Sequence, residues 1–224
     1  RSGQASTSGN YNTAVGSLAL ATDKIGHESV AVGYFALANQ NNTTSTNAYN
    51  TAVGSRAGGN TTTGTQNTLI GALAGDALTT GNNNVVVGMN ALTTDTLGDR
   101  AVAVGTEALA SQNFTTTTDN YNVAVGFHAG NDVTTGVENT LIGGLAGDAL
   151  TDADYNVGLG VSALSSDTLG SRNTAIGTFT LQTQNFTTAT NSYNTAVGYG
   201  AGSNVTTGIE NVLVGAGAGD ALTD

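Results

Sequence analysis

Twelve glycines divide this chain into near-identical coils. Each closes a run of one β-branched residue, one small or aliphatic residue and one aliphatic residue: Thr13-Ala14-Val15-Gly16, Val30-Ala31-Val32-Gly33, Thr51-Ala52-Val53-Gly54, and onward to Val212-Leu213-Val214-Gly215. The anchoring glycines are Gly16, Gly33, Gly54, Gly71, Gly88, Gly105, Gly126, Gly143, Gly160, Gly177, Gly198 and Gly215. Their spacing is 17 residues, except for intervals of 21 after Gly33, Gly105 and Gly177, so four coils make a super-repeat of 72. A chain repeating at so short a period cannot bury an apolar face within one unit. It buries that face between stacked neighbours, which makes it a solenoid.

Counting from the anchoring glycine, position −3 is Thr or Val and position −1 is Val, Ile or Leu in all twelve coils. Alternation places these two on one face of a strand and position −2, Ala in seven coils, on the other. β-Branched residues at this density favour strand over helix. Both faces are apolar, the pattern of a parallel sheet covered twice. One coil can cover only the inner face, so the outer face calls for an identical neighbouring chain.

Position +3 is Ala in eleven coils and Thr180 in the remaining one, which predicts a second short strand where space is tight. Position +4 alternates in pairs, Leu20 and Leu37, then Gly58 and Gly75, predicting two wide and two narrow coils per super-repeat. Position −4 is Asn in ten coils, among them Asn12, Asn50, Asn67, Asn84, Asn122 and Asn139. Asparagine suits turns, and at one β spacing its amides can stack into a ladder.

Composition alone would suggest disorder: 9% charged residues, 5% aromatics, no Pro, Cys or Trp. The regular aliphatic positions overturn that. Five basic against 16 acidic residues give a net charge of −11, which argues against nucleic acid and against an anionic membrane surface. No apolar run is long enough to span a bilayer, so no membrane insertion is expected in this segment. The chain starts at Arg1 without a signal peptide, Gly3 and Ala5 match Gly75 and Ala77, and no atypical capping coil appears. It reads as one repeat segment, 1–224, with super-repeats at about 9–80, 81–152 and 153–224, excerpted from a longer fibrous protein.

The run Asn50-Thr51-Ala52-Val53-Gly54 with Ala57 resembles the head repeats of YadA-like trimeric autotransporter adhesins, and similar coils occur in phage tail fibres. The resemblance covers essentially the whole chain and implies a left-handed parallel β-roll, three chains side by side, on a cell surface or virion. One departure is length, since the adhesin coils run near fourteen residues.

The 21-residue coils place an Asn-X-Thr sequon in one register, at Asn41, Asn113 and Asn185; Asn60 and Asn204 begin others. These are the candidate glycosylation or display positions. The long turns are expected to bulge outward and to be the most exposed part of the chain. Asp76, Asp148 and Asp220 recur in one coil type, and Asp23, Asp95 and Asp167 in the next. Asp76 and Asp95 together suggest a hard-cation site, but the glycine-rich calcium nonapeptide is missing, so these are expected to be solvated turn acids. His27 and His128 stand without a nucleophile or metal partner in sequence and read as surface residues.

Glu138 and Glu210 follow the repeat, whereas catalytic carboxylates occur once per chain. Unequal turns give no flat Thr rank for ice binding. No enzyme activity, catalytic residue, cofactor or metal is therefore expected. The sequence reads as an all-β shaft or head segment of an extracellular or virion fibre, for spacing, display and adhesion to a host-surface glycan or protein, acting as a homotrimer. The alternatives are a glycan-depolymerising tail-spike-type enzyme and a self-standing extracellular filament.

Overall fold

The computed structural model describes residues 9–224; the Gly3 and Ala5 match lies outside them. All regular structure is β. The chain forms two compact units, Arg1–Glu107 with Asn113–Asp119, and Ala108–Gln112 with Asn120–Asp224.

In the first unit the strands Thr13–Val15, Val30–Val32, Thr51–Val53, Thr68–Ile70, Val85–Val87 and Val102–Val104 pair in parallel, in chain order. In the second, Val123–Val125, Thr140–Ile142, Val157–Leu159, Thr174–Ile176, Thr195–Val197 and Val212–Val214 do the same. Equivalent residues of successive coils are register partners throughout, Ala52 opposite Leu69 and Leu141 opposite Gly158. The expected parallel β-solenoid of glycine-closed coils is the fold. Each 21-residue coil adds one two-residue strand that pairs with the coil before it: Thr46–Asn47 with Gly26–His27, Thr118–Asp119 with Gly98–Asp99, and Thr190–Asn191 with Gly170–Ser171.

The anchoring glycines are obligatory for two reasons. Gly71 and Gly143 hold φ of +132° and +136°, a region essentially closed to other residues. A Cβ there would also stand 2.5 Å from the carbonyl oxygen of the next anchor, Gly88 or Gly160. The chain then turns through left-handed residues at +2 and +4, such as Arg56 with Gly58, and Leu145 with Gly147. A third left-handed residue recurs at −5, from Tyr11 to Glu210, although the side chains there are Tyr, Glu, Gln, Arg and Asn. Each costs about 1 kcal/mol or more. The offset is a hydrogen bond between coils: Gln66 N–H to the Ala48 carbonyl and Glu138 N–H to that of Asn120, both at 2.7 Å.

These turns account for one difference from the sequence reading. Position +3 carries no second strand, because left-handed residues on both sides of it prevent an extended run. Its alanines before Ala218 are nevertheless buried, Ala57 and Ala129 among them, as tight packing requires.

The core is built from position −2, from Leu at +4, and from position +7. Coils with Leu at +4 place a polar residue at +7: Asp23, Gln40, Asp95, Gln112, Asp167 and Gln184, all buried. Four of the six coils with Gly at +4 place Leu78, Val133, Leu150 or Val205 there, also buried, while Thr61 and Leu222 hold the place in the other two. A Cβ on Gly75 would meet Leu78 Cδ1 at 3.0 Å, so the missing side chain makes room for its coil-mate. The alternation at +4 therefore exchanges which position supplies the apolar filling.

The asparagines at −4 stack as a ladder inside each unit. Asn67 Nδ2 donates to the Gly81 carbonyl at 2.8 Å, and its Oδ1 accepts from Asn84 N–H at 3.0 Å. Asn139 repeats this with Ala153 and Asn156 at 2.7 and 3.0 Å. Every bond joins one coil to the next and satisfies groups that a buried turn would otherwise strand.

Candidate functional site

Two surfaces stand out: the outward face of the strands, and the tips of the long turns.

Position −2 faces inward and positions −3 and −1 outward. Leu69 and Leu141 are fully buried, while their neighbours Ile70 and Ile142 are 38% and 37% exposed. In the first unit Val15, Val53 and Ile70 lie open on this face; in the second Ile142, Leu159, Ile176 and Val214 do. The residue after the anchoring glycine adds exposed Tyr34 and Met89 in the first unit, and Phe127, Val161 and Tyr199 in the second. Positions −3, −1 and +1 carry no charged residue in any coil, although the chain has 21 Lys, Arg, Asp and Glu residues. Apolar exposure thus recurs along this face in an otherwise acidic chain.

The long turns are held from below by a buried polar chain. In the third, Asp167 Oδ1 accepts from the N–H groups of Gly170 and Phe186 at 3.0 and 3.1 Å, and its Oδ2 accepts from Gln184 Nε2 at 2.5 Å. Gln184 Oε1 in turn accepts from Asn194 Nδ2 at 2.8 Å. Asp23, Gln40 and Asn50 form the same chain under the first turn, at 2.5 and 2.9 Å. Under the second, Asp95 accepts from Gly98 and Phe114 N–H, and Gln112 from Asn122.

The expectation of solvated turn acids is thus corrected: Asp23, Asp95 and Asp167 are interior caps. Asp76 is also largely buried, with Arg56 at 3.3 Å and Thr93 Oγ1 at 3.0 Å. The signal for burial was present in the sequence. Asp occupies a position that is Leu or Val in other coils, with Gly three residues later and Gln one coil on.

Above these caps Phe114 and Phe186 are buried, their rings lying over Gly98 and Gly170, while Asn42 holds the same place in the first turn. Thr43–Ser45, Thr115–Thr117 and Thr187–Ala189 are exposed. Each tip is braced by a threonine hydroxyl bonded two residues back: Thr46 to Thr44, Thr118 to Thr116, and Thr190 to Thr188, at 2.9–3.0 Å. The inserted residues thus form a buried anchor followed by a short exposed tip.

Of the sequon asparagines, Asn41 and Asn185 are exposed and Asn113 is half-buried; Asn113 and Asn185 accept from Thr96 and Thr168 hydroxyls at 3.2 and 3.1 Å. Asn60 accepts from Asn39 at 3.1 Å, and Asn204 is exposed and donates to the Asp220 carbonyl at 2.7 Å. They lie in separate turns and form no common cluster in either unit.

His27 is half-buried and joined to Asn10 N–H and Ser45 Oγ, both at 2.8 Å. An ion pair links Arg100 to Asp119, and Arg172 lies over the Tyr155 ring at 4.5 Å. Burial pushes the Asp148 carboxyl above its ordinary pKa, and Asp132 adds to the shift. Among the described residues no three of His, Asp and Glu gather to hold a metal, no pocket is enclosed, and no helix is long and apolar enough to cross a membrane. Compared with protein-family models, curated proteins and solved structures, the chain matches none.

Proposed function

We propose that this chain is a structural segment of an extracellular or virion fibre, built as a homotrimer of parallel copies, which spaces and displays the threonine-rich turn tips. The observation that supports it is the uncharged outer face. Each exposed Val, Ile or Leu that a second copy covers contributes on the order of 1–2 kcal/mol. The stripe recurs once per coil, so the gain accumulates with length, as a fibre requires. Copies in register would bring like positions together, which an uncharged stripe tolerates and a charged one would not. The resemblance to adhesin head repeats favours three chains and left-handed winding, and the exposed tips with Asn41 and Asn185 favour contact with a host-surface glycan or protein.

Sedimentation equilibrium tests the reading. The expected mass is about three chains for the parent and one for Val53→Asp, which puts a carboxylate on the outer face while leaving the coil foldable. Ala52→Asp, one residue away but pointing into the core, is expected to prevent folding instead. A folded, soluble monomer of the parent chain overturns the proposal.

A further inference from the structure

Tyr11, Glu28 and Tyr49, at position −5 in the first unit, recur 144 residues later as Tyr155, Arg172 and Tyr193 of the second. The backbone beneath them is the same. All six residues are left-handed, with φ between +50° and +65°. Glu28 N–H donates to the Asn10 carbonyl at 3.1 Å, and Arg172 N–H to that of Asp154 at 3.0 Å. Ala48 N–H donates to the His27 carbonyl and Ser192 N–H to that of Ser171, both at 3.0 Å. The fold itself does not ask for tyrosine here. Gln66 and Asn83 hold the same position with φ of +60°, and a bulky side chain is uncommon in that region.

In the second unit the two tyrosines hold a guanidinium. Arg172 Cζ lies 4.5 Å from the Tyr155 ring centroid and 6.0 Å from that of Tyr193, so the cation is flanked by both rings. Its Nε donates to Asn191 Oδ1 at 3.2 Å. The first unit carries the same holders, with Tyr11 and Tyr49 both exposed. Asn47 stands at the place of Asn191, and its Nδ2 donates to the Tyr49 hydroxyl at 3.1 Å, which keeps Oδ1 for a donor from outside. At the place of Arg172 stands Glu28, a carboxylate of the kind a guanidinium pairs with through two hydrogen bonds. His27 beside it has both ring nitrogens engaged, by Asn10 N–H and Ser45 Oγ.

We propose that Tyr11, Glu28, Asn47 and Tyr49 form a guanidinium site that takes an arginine side chain from a basic partner polypeptide. Together they supply what a planar cation needs: two flanking rings, a carboxylate and an amide oxygen. Arg172 between Tyr155 and Tyr193 shows that rings in this register accept that group. Charge favours the same occupant, since a chain of net charge −11 draws cationic partners. The site uses position −5, apart from the face at −3, −1 and +1, and so does not rest on the trimer.

The test is fluorine NMR of the whole chain labelled with meta-fluorotyrosine and titrated with acetyl-Gly-Arg-Gly-amide, the signals being assigned with Tyr11→Phe, Tyr49→Phe, Tyr155→Phe and Tyr193→Phe. The Tyr11 and Tyr49 signals are expected to shift and saturate, while those of Tyr155 and Tyr193, already around Arg172, stay in place. The same peptide with citrulline keeps the shape without the charge and is expected to bind about tenfold or more weakly. Two variants exchange residues the fold already carries in this register. Glu28→Arg is expected to fill the first site and abolish its response; Arg172→Glu is expected to open the second, so that Tyr155 and Tyr193 respond. No saturating shift at Tyr11 and Tyr49, an equal response to the citrulline peptide, an undiminished response in Glu28→Arg, or silent Tyr155 and Tyr193 in Arg172→Glu overturns the site. Shifts of Tyr11 and Tyr49 that grow with protein concentration alone would assign the site to a second copy of the chain and overturn the partner.

Discussion

The first and third long turns reach the same conformation with different fillings. Both stand on an Asp–Gln–Asn chain, Asp23–Gln40–Asn50 and Asp167–Gln184–Asn194, with the Gln-to-Asp bond at 2.5 Å in each. Above it the third turn seats the Phe186 ring over Gly170. The first seats Asn42 over Gly26, with the Asn42 amide nitrogen buried and unpartnered. The polar chain is constant and the plug varies, so the buried acid fixes the turn and the plug only adjusts its stability. This runs against the usual hierarchy, in which apolar filling dictates and polar groups adapt. It holds here because an unpaired buried carboxylate or amide costs more than an imperfectly filled space.

The largest effects should be indifferent to this contrast. Gly33→Ala and Gly177→Ala, at the heads of the two coils, are each expected to cost roughly 4 kcal/mol or more, since φ stands at +140° and +133° and a carbonyl of the next coil blocks the Cβ. Thermal unfolding by circular dichroism would read both as loss of folding. A tolerated alanine at either position would mean the coil can open there. Next come the caps. Asp23→Ala and Asp167→Ala are expected to cost about 3 kcal/mol each, because in both the N–H of the glycine three residues on and the glutamine amide one coil on lose their acceptor, joined at Asp167 by the Phe186 N–H. Urea midpoints that differ sharply between the two would break the comparison, by showing that the plug and not the cap carries the turn.

Much of the fold was legible beforehand. Gly54, Val53 and Ala52 declared a parallel strand with two apolar faces, and Asn50 its ladder. What could not be read was direction: a strand covered on both faces does not say which of Ala52 and Val53 looks inward. Nor did the sequence separate a capped interior acid from a solvated one by residue type, since Asp23 and Asp152 are both polar punctuation in a turn. Distinguishing them takes the comparison across coils, where position +7 is Leu or Val in five of the twelve. The turn tips were recognised as exposed, but the anchor beneath was not. Phe114 and Phe186 counted in the sequence only as the middle residues of Asn-X-Thr sequons, and nothing there marked them as rings that lie over a glycine.

The plug itself gives the smallest effect and the sharpest test. Phe186→Asn recreates the first turn inside the third, trading a buried ring for an amide with an unsatisfied nitrogen. The expected loss is about 2–3 kcal/mol. The reverse change, Asn42→Phe, should raise the first turn to the standard of the third. Gly26 leaves the same space that Gly98 and Gly170 offer their rings, and the substitution removes the stranded amide. A gain of about 1 kcal/mol is expected, smaller than the loss in the opposite direction because the surroundings of Asn42 have settled around a shorter side chain. Thr61→Val extends the test to the neighbouring coil, where Val133 and Val205 hold the equivalent place and the Thr61 hydroxyl is buried without a partner. It too should stabilise, by about 1 kcal/mol. Melting temperatures of the two single variants and the double variant decide the matter. If Asn42→Phe lowers the melting temperature while Thr61→Val raises it, the first turn is packed for its amide, and the equivalence of the two turns ends at the polar chain.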